Sequence, residues 1–232
     1  MSPGRESRHF HEELADLRSR LLEMAAMAEE LVARAVEAVM ERDLEKADSV
    51  VLGDRELDAL EVEMDEACVN LLALHQPFAR DLRLIMMAMR ISNDLERVGD
   101  HAVNIAETVQ HLEGRPPLDR FPQLEEIARV AREMLSDALD SFVREDPAAA
   151  HEVCLRDDRV DALHESLFRI LLTHMMEDPR RIGSAMALIL VSRNLERVAD
   201  LATNVAEDVI YLVEGKIIKH RVHVPDAAAE GE

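Results

Sequence analysis

One sixteen-residue segment occurs twice in this chain. Residues 92–107 read SNDLERVGDHAVNIAE and residues 192–207 read SRNLERVADLATNVAE, offset by 100 residues without a gap and identical at 10 of 16 positions. A match of this length within 232 residues requires duplicated architecture, so the fold has to be built from two copies of one unit. The duplication reaches further back. The run DRELDAL from Asp54 to Leu60 corresponds to DDRVDAL from Asp157 to Leu163, at an offset of 103. The three-residue difference between the two offsets has to be absorbed in the connections around Gln76 and Asp178.

The unit itself is helical. Leu14, Leu17, Leu21, Met24, Ala28, Leu31, Ala35 and Val39 recur at the spacing of one amphipathic stripe, which predicts a helix from about His9 to Met40 after a frayed start. Asp43 is placed to cap a second helix, which ends near His75 because Pro77 disfavours helical geometry in the residue before it. A third runs from about Arg80 to Glu113 and stops at Gly114. The series then restarts: a fourth helix from about Pro122 to Arg144, a fifth opened by Asp146-Pro147, and a sixth opened by Asp178-Pro179 and stopped at Gly215. The expected fold is all-α, two antiparallel three-helix bundles in tandem, over residues 8–114 and 118–216, followed by a tail at 217–232 that carries no helical stripe.

Composition narrows the function. Net charge is −21, which argues against binding of nucleic-acid backbones and suits metal cations or basic protein partners. Aromatics are 3% of residues, and seven glycines fall in no phosphate-loop or dinucleotide pattern. No HExxH or nucleophile elbow is present. The start shows no apolar core of a signal peptide, and the longest uncharged run, Ile182 to Ser192, is too short to span a bilayer. A soluble cytoplasmic protein is expected. Cys68 and Cys154 each fall in an apolar helical stretch and read as small core residues, as do Met86, Met87 and Met89.

Within the signature, polar and apolar residues occupy separate arcs, with Val103 the one apolar residue inside the polar arc. With Glu96 at zero on a helix, Asp100 lies at about 40°, Asn104 at about 80° and Glu107 at about 20°, while Leu95, Val98, Ala102, Ile105 and Val109 occupy the opposite arc. Glu196, Asp200, Asn204 and Glu207 repeat this stripe. Asp54, Asp58, Glu61 and Asp65 form a similar one, matched by Asp157, Asp161, His164 and Phe168. Each repeat therefore carries two [DE]xxxD pairs on successive helices. If they converge, four carboxylates repel one another unless a cation joins them. Oxygen donors suit Mg²⁺, Mn²⁺, Ca²⁺ or iron, and His164 inclines the second site toward a transition metal. The competing reading is a solvated charged face, with Arg97 or Arg197 paired to a neighbouring acid. Gly99, mid-helix, is open to two readings: close backbone approach, or room beside a metal. Ala199 in the second copy shows that the architecture does not require it.

The stretch RISNDLERVGDHAVNIAE, preceded by Arg80-Asp81-Leu82-Arg83, closely resembles the signature of the PhoU family, phosphate-transport accessory and regulatory proteins. The resemblance covers about residues 8–220 and includes the duplicated three-helix plan. It implies a cytoplasmic, often homodimeric protein that is not an enzyme. Such a protein restrains the phosphate-starvation response by bridging the ATPase subunit of the phosphate ABC transporter and the sensor histidine kinase. It also implies metal ions (Fe, Zn, Mn or Mg) at paired [DE]xxxD motifs, here Asp54/Asp58 with Glu96/Asp100 and Asp157/Asp161 with Glu196/Asp200. The second copy departs from the signature at Asn194, where the first has Asp94, and at Leu201, where the first has His101. Two other functions share these features: a carboxylate-bridged metal enzyme, and an accessory of a low-affinity phosphate carrier.

Overall fold

The computed structural model describes residues 3–116 and 120–216. They form seven α-helices: α1 (Pro3–Glu41), α2 (Leu44–His75), α3 (Ala79–Leu112), α4 (Pro122–Arg144), α5 (Pro147–Cys154), α6 (Asp157–Glu177) and α7 (Ile182–Glu214). No strand occurs among the described residues. The helix expected to begin at His9 extends back to Pro3, through the stretch read as frayed. The expected tail at 217–232 lies outside the described residues.

Local chemistry repeats as faithfully as the signature. Asp43 accepts hydrogen bonds from Glu45 N and Lys46 N, and Asp146 accepts them from Ala148 N and Ala149 N. These bonds satisfy backbone donors that a helix start leaves without partners. The residue before each cap is left-handed, Arg42 at φ 56° and Glu145 at φ 51°. Asp178 departs from the expected pattern. It caps a 3₁₀ turn, Pro179–Arg181, through Arg180 N, and α7 starts only after that turn. The change in offset is localised here: Gln76, Pro77 and Phe78 join α2 to α3, whereas Asp178 runs straight into the 3₁₀ turn that matches the start of α3.

The fifth helix is broken where one continuous helix was expected. Leu155 and Arg156 tighten to ψ −16° and −14°, and Arg156 N bonds to Val153 O three residues back. The matching residue in α2 is Gly53, where an added Cβ would lie 2.8 Å from Leu31 Cδ2. The missing side chain at that point lets α2 pack closely on Leu31 of α1. Arg156 has a long side chain to place, and its Nη2 reaches Asp137 on α4 at 2.6 Å.

Within each repeat the chain runs up, down and up: α2 packs antiparallel to α1 and α3, and α6 to α7, while α1 lies parallel on α3 and α4 parallel on α7. The repeats join through α3 and α7, with α1 against α4. Arg90 Nη1 pairs with Asp208 Oδ1 at 2.8 Å, and His101 Nδ1 with Asn194 Oδ1 at 2.9 Å, so α3 and α7 run antiparallel past each other. One continuous core results, centred on side chains such as Leu17, Leu21, Met24, Ile91, Leu95, Ile105, Met134 and Leu195. Burying each such side chain contributes roughly 1.5–3 kcal/mol. Cys68 and Cys154 are buried free thiols, and burial pushes their ionisation up to about 12 and about 11. Met87 is in the core and Met89 packs against it, but Met86 is exposed, contrary to the reading of these methionines as filler. No described helix is long and apolar enough to cross a membrane.

Candidate metal centres

The carboxylate stripes of each repeat face each other. Asp54 and Asp58 project from α2 toward Glu96 and Asp100 of α3. The Asp54 carboxyl is pushed up to about 6, first by burial and then by the charges of Asp58 and Asp100. Glu96 is also raised, by burial and then by Asp100, Asp58, Glu61 and Asp54. In the second repeat, Asp157 is pushed up to about 6 by burial, followed by Asp200, Asp161, Asp158 and Glu196. Sequence periodicity leaves the facing of these helices open; the tertiary structure supplies it. All eight candidate residues fall into two groups of four, and none lies elsewhere.

The groups are not pre-gathered. Among the described residues, no three His, Cys, Asp or Glu side chains stand close enough to enclose an ion as placed. Their chemistry still fits a cation. Asp54 Oδ1 is buried with no hydrogen-bond partner, a costly state for a carboxylate oxygen that a cation would relieve. Gly99 is what lets that oxygen sit there, because a Cβ on residue 99 would lie 2.4 Å from Asp54 Oδ1 and 2.7 Å from Leu57 Cδ2. Of its two readings, close approach across the carboxylate site is therefore the one observed. Asp58, Asp100 and Asp161 are exposed, and Asp200 and Glu196 are half-buried, so solvent reaches both centres.

The arginines of the signature do pair with nearby acids, but differently in the two copies. Arg97 Nη1 donates to Asp94 Oδ1 at 3.2 Å, leaving Asp100 out of the pair. Arg197 Nη1 donates to Asp200 Oδ2 at 2.7 Å, directly onto a candidate metal carboxylate. His164, read as a possible ligand, is turned to Ser192 Oγ at 2.7 Å.

The two departures from the repeat meet in space. His101 of α3 bonds Asn194 of α7, whose Nδ2 donates to Leu190 O at 2.8 Å, so Asn194 Oδ1 accepts from the imidazole N–H. Beside them opens a cleft of about 350 Å³ against the second centre. Arg97 and His101 from α3 line it, opposite Asp157 of α6 and Arg197, Asp200 and Glu207 of α7. Pattern reading missed this cleft as a site. The signal for it was present in the positions that break the repeat, His101 against Leu201 and Thr203 against Val103.

A tandem pair of three-helix units carrying facing carboxylate pairs defines the class: a duplicated, all-α protein with two candidate metal centres. The comparisons are specific beyond that. A family model described as the PhoU domain matches residues 21–109 and 124–209, and the chain belongs to the PhoU family. It is 42% identical over 209 residues to the phosphate-specific transport system accessory protein PhoU homolog of Aquifex aeolicus, covering 90% of this chain and 95% of that one. Against the phosphate-specific transport system accessory protein PhoU of Escherichia coli, identity is 35%, covering 92% of this chain and 89% of that one. The crystal structure of PhoU from Pseudomonas aeruginosa superposes with a TM-score of 0.85 at 40% identity, covering 89% of this chain and all (100%) of that one. PhoU from Streptococcus pneumoniae, described as a phosphate transport system regulatory protein, gives 0.84 at 27% identity, covering 90% and 99%.

Proposed function

We propose that this chain is a non-enzymatic regulator of phosphate homeostasis. It restrains the phosphate-starvation response when phosphate is plentiful, by joining the ATPase subunit of the phosphate ABC transporter to the sensor histidine kinase at the cytoplasmic face of the membrane. The observation that carries this reading is family membership across both repeats, extending to relatives whose names place them with phosphate-specific transport. A protein acting through contacts also needs apolar surface. Phe168, Leu172 and Met176 on α6 and Ile182, Met186 and Leu190 on α7 are exposed at helical spacing along one hairpin. A homodimer and the two partners would draw on such surface.

In the same reading, Asp54, Asp58, Glu96 and Asp100 hold one metal site, and Asp157, Asp161, Glu196 and Asp200 the other, with Fe, Zn, Mn or Mg as the ion. Bound cations would cancel the repulsion within each group and cross-link α2 to α3 and α6 to α7, so their role is structural and regulatory.

The test is alkaline phosphatase activity at high phosphate in cells lacking this protein. Activity should rise and be silenced again by the intact gene. Unchanged activity, with neither transporter ATPase nor kinase recovered by crosslinking pull-down, would overturn the adaptor reading. It would leave the carboxylate-bridged enzyme, testable by oxygen consumption and phosphoester turnover of metal-loaded protein.

A further inference from the structure

The duplication places two clefts at matching points of the bundle, and they differ in what fills them. One lies where α1 and α3 end and α4 and α7 begin, and keeps about 80 Å³; Arg42, Phe121, Leu112 and Ser184 line it. The other, about 360 Å³, lies at the opposite end, and Glu145, Arg18, Leu212 and Leu84 line it. The two sets correspond residue by residue. Glu145 matches Arg42, and Arg18 matches Phe121, at the offset of 103 that relates the caps Asp43 and Asp146; Leu212 matches Leu112, and Leu84 matches Ser184, at the offset of 100 that relates α3 and α7.

The smaller cleft holds the chain that leaves α3. Gly114 turns that chain at φ 66°. Arg42 donates from Nη1 to Leu112 O at 3.1 Å and Arg115 O at 2.8 Å, and from Nη2 to Pro116 O at 3.3 Å. Ser184 Oγ donates to Pro116 O at 2.8 Å. The chain that leaves α7 begins in the same way. Gly215 turns it at φ 68°, just after Leu212 at the wall of the larger cleft. Lys216-Ile217-Ile218 then stands where the first repeat has Arg115-Pro116-Pro117. Donors are in place for it. Arg18 and Arg80 line the larger cleft and both donate to Glu145, Arg18 through Nη2 at 2.6 Å. A guanidinium has five N–H donors, so each keeps others for a further acceptor. Leu14, Ala15, Leu84 and Leu212 give the cleft an apolar side.

We propose that the larger cleft seats this chain's own segment Lys216-Ile217-Ile218, as the smaller one seats Arg115 and Pro116. Backbone carbonyls of the segment would accept from Arg18 and Arg80, which Glu145 holds in position, and an isoleucine would cover the apolar side. The tether at Gly215 makes the contact intramolecular, so interactions too weak to hold a free peptide suffice. One contact does not repeat. Arg115 lies where a Cβ on Gly183 would stand, whereas the matching residue on α3 is Arg83, so Lys216 has to turn away from α3. A segment held there covers Arg80 at the start of α3, and a partner docking on this end of the bundle has to displace it.

The chain has no tryptophan, so Ile218→Trp puts a single reporter into the full chain. Its emission should be blue-shifted, and its quenching by acrylamide roughly threefold slower, relative to Ala228→Trp further along the tail. Adding Arg18→Ala with Arg80→Ala should abolish both differences while the helical circular-dichroism spectrum is kept. Equal quenching at the two positions, or indifference to the arginine changes, would overturn the proposal. Tryptophan is bulkier than isoleucine, so a second reading uses Ala15→Cys with Ile217→Cys, the native Cys68 and Cys154 being buried. Mild oxidation should join the new thiols within one chain. No disulfide would overturn the proposal, and so would one formed only between two chains, which would assign the cleft to the tail of a second copy.

Discussion

The two carboxylate centres come from one duplicated motif but are held in different ways. In the first, Asp54 lies in the middle of α2 and is pressed against α3 because residue 99 is glycine, which leaves Asp54 Oδ1 buried and unsatisfied. In the second, α5 breaks just ahead of Asp157, so that carboxylate sits in the first turn of α6, at the positive end of a helix. Ala199 stands where the first repeat has Gly99, and it is fully buried. The second centre also has a cation of its own in Arg197 and opens on a cleft shared with α3. The lesson is that a repeated ligand set does not make a repeated site. What flanks the carboxylates decides that one group presses an unpaired oxygen against a glycine while the other shares a carboxylate with an arginine.

Metal content should show the largest separation between the two. Glu96→Ala with Asp100→Ala should empty the first centre and spare the second, and Glu196→Ala with Asp200→Ala should do the reverse. Elemental analysis of untagged protein purified without chelator reads this directly. Unchanged content in both variants would place any metal elsewhere.

Next in size is a pH effect common to both centres. Asp54 and Asp157 are raised from 3.8 to about 6, so the folded, metal-free chain holds their protons more tightly than the unfolded chain. Their contribution to stability is full below the unfolded value of 3.8 and is lost as pH rises through about 6. The melting temperature of metal-free protein should therefore fall across that window, and Asp54→Asn with Asp157→Asn should flatten the fall. Added metal should act in the opposite sense, stabilising more as pH rises, because carboxylates bind cations once deprotonated. A metal-free melting temperature that climbs from pH 4 to 6.5 would contradict the assignment.

Gly99→Ala separates the centres by packing alone. The new Cβ would displace Asp54, and we expect first-centre metal affinity to drop by about tenfold or more, as when the support of a ligand is removed. Ala199→Gly should leave the second centre's metal intact and cost roughly 1 kcal/mol of helix stability. Competition with a chelator of known affinity distinguishes the two; equal metal losses in both would mean that residue 99 has no special role.

The smaller effects test how far the repeats remain alike. Asp43→Ala and Asp146→Ala remove equivalent caps, and each should cost about 1 kcal/mol in denaturant unfolding. A large inequality between them would show that the two helix starts are not equivalent in the folded chain. Arg156→Ala breaks its largely solvent-facing pair with Asp137 and should cost less than about 1 kcal/mol.

The sequence alone was enough for the helical architecture and the duplication. Apolar spacing sets which face of a helix is buried, and Asp43, Asp146 and Gly215 mark helix ends by satisfying backbone groups that no interior residue can reach. The family was legible for a related reason: its signature is a single uninterrupted helix whose polar stripe and core face are both written in consecutive residues. Periodicity says which way a side chain points on its own helix and nothing about its neighbour. That α2 turns its acids toward α3, that Gly99 admits Asp54, that the helix breaks at Leu155 and Arg156 where α2 runs on through Gly53, and that Arg97 and Arg197 come to one cleft were decided by tertiary packing. Each depends on the distance between helices, and that distance is fixed by side chains remote in the chain.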